Sequence, residues 1–182
     1  FGRLGDIFGK IRVFRIGTII FVIGSLLCGL SGSLATLIAA RIIQAIGASM
    51  TMANSQGIVT DIFPANERGK ALGLVGTFVS LGSIAGPGIG GIMVSSLGWE
   101  SIFWINVPIG VIAILLGAKL LPGDIRISKK SIDGGGSLLF AGFIVSLIAA
   151  ILLGQEIGYG DWRIIGLLVF AVASFLVFLR VE

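Results

Sequence analysis

Arg41 and Gln44 stand one helical turn apart inside residues 34–59, LATLIAARIIQAIGASMTMANSQGIV, where Arg41 is the single charge. At about 1.5 Å per residue this run exceeds a hydrocarbon core of about 30 Å. Arg41 lies roughly 10 Å below one end by the same rise. A guanidinium at that depth costs on the order of 3 kcal/mol on insertion scales, so it normally faces a protein interior or a water-filled cavity. Arg41, Gln44, Ala48, Thr51 and Ser55 form a polar and small-residue stripe on one face of a helix, as that reading requires. The alternative is an arginine that snorkels to the nearer headgroups; the stripe runs past the reach of snorkelling and favours the interior-facing reading.

Two further clusters stand out. Gly2, Leu4, Gly5, Asp6, Gly9, Lys10 and Arg12 make the pattern G-x-L-G-D-x-x-G-K-x-R, which packs a tight turn, one acid and two bases into a dozen residues. By itself this reads equally well as a flexible, positively charged membrane-surface loop. In GSIAGPGIGG, Gly82, Gly86 and Gly90 recur every four residues, leaving one helix face as bare backbone that admits close approach of another helix. Pro87 removes one internal hydrogen bond there and predicts a kink. The functional version of this reading is a hinge or sealing contact that changes during a transport cycle.

Other chemistry finds little support. Gly86, Gly88 and Gly91 match GxGxxG, but they lie inside an apolar span with no preceding strand and no acid at the spacing of a dinucleotide site. There is no Walker lysine motif, no GxSxG elbow and no carboxylate pair at membrane depth. With no histidine and a lone cysteine, Cys28, neither imidazole chemistry, a disulfide framework nor a Cys-rich metal site is available. The chain is therefore not read as an enzyme, and no cofactor or nucleic acid is implied.

The elements that must position these residues follow from hydropathy. Of the 182 residues 55% are hydrophobic and 12% charged, and the mean hydropathy of +1.09 lies outside the range of soluble domains. Residues 1–12 are too polar to span and are expected at a membrane surface. Apolar runs at 13–30, 34–59, 70–95, 102–121, 137–153 and 164–179 predict six transmembrane helices, an all-α polytopic membrane helical bundle. Trp99 and Trp104 sit at the start of the fourth run as interface anchors. The turn-prone, basic residues 121–136, LPGDIRISKKSIDGGG, mark a boundary.

Alternating connections gather Arg3, Lys10, Arg12, Arg15, Arg68, Lys70, Lys119, Arg126, Lys129, Lys130 and Arg180 on one side and leave Arg163 on the other. This bias assigns the first side to the cytoplasm. The basic linker could instead be a lipid-binding patch, but a topological signal is the simpler reading. The chain lacks an initial methionine and a signal pattern, and is read as a piece of a longer multi-pass protein of the plasma (inner) membrane.

Taken together these motifs resemble the major facilitator superfamily, and within it the drug:proton antiporters. The opening segment is similar to the family signature between the second and third helices. R-x-x-Q-A-x-G-A, at Arg41, Gln44, Ala45, Gly47 and Ala48, is similar to the fourth-helix motif, with Ala45 in place of the usual glycine. Gly82, Gly86, Pro87, Gly90 and Gly91 resemble the fifth-helix antiporter motif. WESIFWINVPIG, residues 99–110, and the segment from Asp133 to Gly136 resemble the fourteen-helix branch.

The resemblance implies that the six spans are family helices three to eight. Residues 1–121 would belong to the N-terminal six-helix bundle, 122–136 to a cytoplasmic linker and 137–182 to an inserted helix pair. It implies that Asp6, with Arg12 near it in a charge network, closes a cytoplasmic gate against a helix outside this chain. It also implies that Arg41 and Gln44 serve proton coupling, since a cation within about 4 to 6 Å lowers the pKa of a carboxylate. The partners implied are the lipid bilayer, a proton, a small-molecule substrate and the remaining helices of a full-length transporter. The implied function is proton-driven efflux of drugs or amphipathic metabolites by alternating access. The alternatives are a nutrient uniporter or symporter, and a non-transporting scaffold or sensor of the same fold.

Overall fold

A computed structural model describes residues 1–123 and 134–181. Among the described residues the regular structure is helical: α1 (Gly2–Phe8), α2 (Lys10–Gly29), α3 (Leu34–Ile62), α4 (Arg68–Leu97), α5 (Ser101–Trp104), α6 (Asn106–Leu120), α7 (Gly134–Ile157) and α8 (Trp162–Val181). Counting α5 and α6 as one, six segments are long and apolar enough to cross a membrane. The all-α membrane bundle expected from hydropathy is the observed fold class. Helices are the form such apolar runs must take, because within lipid each backbone N–H and C=O has to find its partner inside the segment.

Local chemistry sets the element ends. Ser33 starts α3 with a capping box: Thr36 N–H donates to Ser33 Oγ at 3.2 Å and Ser33 N–H to Thr36 Oγ1 at 3.1 Å. Gly98, at φ 86°, ends α4 in a conformation that a side chain would disfavour. Pro108 has no N–H to return to the Trp104 carbonyl, and the fourth span is interrupted at Ile105. The opening segment differs from the surface loop expected. It is helical on both sides of Gly9, whose φ of 100° concentrates the turn in one residue, and Lys10 and Arg12 already belong to α2.

The chain forms two compact units, 1–130 and 131–182. In the first, α2 is the central element and packs on α3 almost backbone to backbone. A Cβ on Gly24 would lie 2.6 Å from Gln44 Cα, one on Gly17 would lie 2.6 Å from Met50 Cβ, and one on Gly47 would collide with the backbone of Phe21. Small residues permit such contact, which suits helix association in lipid, where apolar surface alone gives no drive. Gly110 brings α6 onto Val22, and Trp104 lies over Gly29. Cys28, Ala40 and Phe103 form a small buried cluster with Leu37 and Ile102 around it.

The second unit is a hairpin of α7 and α8. Phe143 and Phe175 face each other at 4.9 Å between ring centroids and Phe140 and Phe178 at 5.4 Å. Gly154 leaves room for the Tyr159 ring, and Ser146 returns its hydroxyl to the Gly142 carbonyl at 2.6 Å. The α7 helix begins at Gly134, three residues ahead of the expected span. Arg126, Lys129, Lys130 and Asp133, invoked for the linker, lie outside the described residues.

Candidate coupling and gate sites

Arg41 donates from Nη1 to Gln44 Oε1 at 2.8 Å, and its guanidinium carbon lies 5.3 Å from the centroid of the Phe103 ring. Gln44 is buried and donates in turn from Nε2 to Ser25 Oγ at 2.7 Å, with Cys28 Sγ 4.0 Å from its Oε1. One amide thus links a cation on α3 to the buried polar side of α2. Oε1 faces Arg41 because a guanidinium only donates, which leaves the amide N–H for Ser25 Oγ. Gln44 and Phe103 hold the Arg41 guanidinium against the packed helices, one turn of α3 and the start of the fourth span supplying its contacts.

Among the described residues the expected stripe is buried at one position. Of Arg41, Gln44, Ala48, Thr51 and Ser55, only Gln44 is buried; Ala48, Thr51 and Ser55 are half-buried and Arg41 is exposed. The buried face of α3 is Ala40, Gln44, Gly47, Asn54 and Ile58. The close approach at Gly47 turns that face toward α2 and leaves Arg41 on its rim.

The second site lies where α1, the start of α2 and the end of α3 meet. Lys10 Nζ donates to Asp61 Oδ2 at 3.0 Å and stands 3.6 Å from Asp6 Oδ1. Gly57 lies under the lysine stem, where a Cβ would come 3.0 Å from Lys10 Cδ. Asn54, almost fully buried, holds α1 by donating to the carbonyls of Met50 at 2.8 Å and Phe1 at 3.4 Å. Gly5 sits directly against its Oδ1. Gly2, by contrast, makes only ordinary contact, a Cβ there lying 3.9 Å from the Ala53 carbonyl oxygen.

Here too the partner differs from expectation. Arg12 was expected beside Asp6, yet Arg12 is exposed and makes no ion pair among the described residues. At about 100° per residue it points some 200° around α2 from Lys10. Lys10 takes the place expected of Arg12 beside Asp6, and its nearer carboxylate is Asp61, two residues past the apolar run 34–59. A legible signal existed: Gly57 and Asp61 lie one turn apart, and α3 continues through both.

The third candidate remains open. α4 contains Pro87 and has no buried residue, and at Gly82, Gly86, Gly90 and Gly91 a Cβ would meet nothing within 4 Å. The close helix approach expected there is not made among the described residues. It is made instead by Gly17, Gly24 and Gly47, the two glycines of α2 being spaced at seven residues.

The arrangement supplies a restrained cation within an apolar span and a carboxylate–lysine–carboxylate cluster at the basic end. The family model of the Major Facilitator Superfamily matches residues 1–181. Riboflavin transporter RibZ of Clostridioides difficile (strain 630) is 50% identical over 151 residues, covering 82% of this chain and 33% of that protein. Multidrug resistance protein 3 of Bacillus subtilis (strain 168) is 36% identical over 185 residues, covering 100% of this chain and 36% of that protein. The tetracenomycin C resistance and export protein of Streptomyces glaucescens is 35% identical over 176 residues, covering 96% and 32%. The chain spans about a third of the length of these curated relatives. A multi-pass integral membrane protein by its spans, by its motifs and by these matches, the chain belongs to the major facilitator superfamily.

Proposed function

We propose that the chain contributes to a plasma-membrane transporter that expels drugs or amphipathic metabolites in exchange for protons by alternating access. The observation that carries this reading is the Arg41 guanidinium, held within an apolar span by Gln44 and Phe103. A scaffold has no need of such a charge, whereas a coupling site uses it to bias a nearby carboxylate toward its charged form. That carboxylate would be supplied by helices outside this chain. In this reading residues 1–121 form part of the N-terminal bundle, 122–136 a cytoplasmic linker and 137–182 an inserted pair of helices. Asp6 keeps half its surface exposed while paired to Lys10, and offers that surface to a partner helix as a cytoplasmic gate. The glycine face of α4, with Gly82, Gly86, Pro87, Gly90 and Gly91, serves as the sealing contact with helices outside this chain. The test is efflux of cationic dyes from cells expressing the full-length protein, with and without an uncoupler. Retention unaffected by the uncoupler rules out proton drive.

The 50% identity to a riboflavin transporter favours a second reading, in which the substrate is a planar heteroaromatic nutrient. Labelled riboflavin uptake by the same cells separates the two. Saturable accumulation, with dye efflux absent, selects the nutrient.

A further inference from the structure

Arg15 on α2 donates from Nη2 to the carbonyls of Gly117 at 3.0 Å and Leu121 at 2.9 Å, capping the C-terminal end of α6. Its guanidinium is thereby fixed at the rim of a cavity of about 350 Å³ lined by Ile11, Arg12, Arg15, Ile16, Pro122 and Gly123. The Nε of Arg15 is buried without an acceptor among the described residues, so the fork is not saturated by the carbonyls it caps. Arg12, exposed and outside the Lys10 network, is the second cation of the cavity, and no carboxylate among the described residues lines it.

The surface below the arginines has a definite form. Arg12, Ile16, Ile19, Ile23 and Leu27 follow one another along a single face of α2, and the four apolar residues are each between 41% and 47% exposed. From Arg12 to Ile23 this row descends roughly 16 Å, about the depth of one leaflet's hydrocarbon. Two guanidiniums at the headgroup level above a strip of methyl groups match one class of molecule.

We propose that this cavity binds the phosphate of an anionic glycerophospholipid, with an acyl chain lying along Ile16, Ile19 and Ile23. A free anion would use the arginines and gain nothing from the strip; a zwitterionic lipid would use the strip but bring an ammonium to the arginines. Guanidiniums suit the phosphate because they present paired donors to its oxygens. The site is independent of what the protein transports.

The test is photolabelling of the full-length protein in phosphatidylcholine nanodiscs containing a photoactivatable phosphatidylglycerol, with labelled peptides mapped by mass spectrometry. Labelling of the α2 peptide around Ile16 and Ile19 is expected, displaced by unlabelled phosphatidylglycerol but not by added phosphatidylcholine or inorganic phosphate. Arg12→Gln should lower it about fivefold, the weight of one basic residue at an anionic surface, and Arg12→Lys should keep most of it. Arg12 is chosen because it bears no structural bond, whereas Arg15→Gln also uncaps α6. Equal displacement by phosphatidylcholine, displacement by inorganic phosphate, or full labelling of Arg12→Gln overturns the proposal. So does absence of label from this stretch in a wild-type protein that remains folded by thermal unfolding.

Discussion

Lys10, at the first position of α2, and Asp61, in the last turn of α3, meet at 3.0 Å across 51 residues of sequence. The ion pair ties together the two helices that already approach most closely, at the end where Asp6 also reaches the lysine. Both partners keep some exposure, so the pair adds little to stability, about 1 kcal/mol or less. Its weight lies in neutralising two acids that would otherwise repel each other. Lys10→Gln in the full-length protein should therefore slow transport about tenfold, the scale of one broken coupling contact, while membrane insertion stays normal. Lys10→Arg should recover most of the rate. Initial efflux rates normalised to membrane-inserted protein decide it; a wild-type rate in Lys10→Gln removes the cluster's role in transport.

Gly57 gives the same cluster an independent test. A side chain there would displace the Lys10 stem, which a Cβ would already approach to 3.0 Å. Gly57→Leu should reproduce the Lys10→Gln phenotype although every charge is still present. Gly69→Leu, where a Cβ meets nothing within 4 Å among the described residues, is the control and should transport normally.

Arg41 should tolerate change poorly, and in a graded way. Arg41→Ala loses the charge, the bond to Gln44 and the contact with Phe103, and proton-driven transport is expected to fall by at least about tenfold, one coupling interaction's worth. Arg41→Lys keeps the charge but not the planar donor fork, and should fall between the two. Gln44→Leu, which also strands Ser25, should resemble Arg41→Ala. Uncoupler-sensitive efflux in membrane vesicles measures all three; unchanged efflux in both Arg41 variants defeats the coupling role.

Glycine substitutions should separate packing from gating. Gly47→Ala and Gly24→Ala put a methyl group into backbone of the facing helix and should cost about 1 to 3 kcal/mol or more through overpacking. Their thermal midpoints in detergent should fall by several degrees, as about 1 kcal/mol shifts a domain of this size by 2 to 4 °C. Gly86→Ala meets nothing within 4 Å among the described residues and should leave the midpoint unchanged or raise it, since alanine is the better helix former by about 1 kcal/mol. If the α4 face seals against helices outside this chain, Gly86→Leu should lower transport without lowering the midpoint. Normal transport in Gly86→Leu ends the sealing role.

Much of the molecule is written along the chain. Membrane class, six spans and all-helical character follow from runs of apolar residues, because lipid leaves a lone segment no other way to satisfy its backbone. The arginine inside α3, the acid and bases near the start and the glycine stripe of α4 can all be picked out by type and spacing, as can the family they resemble. Partners across the chain cannot. That Lys10 and not Arg12 pairs with Asp6 and reaches Asp61, that Ser25 orients Gln44, and that Gly17, Gly24 and Gly47 form the tight helix seam depend on how α2 and α3 are rotated about their axes. Hydropathy in a span that is apolar nearly all round barely constrains that rotation. Backbone contact at three glycines does, and with it the choice of which polar side chains face each other.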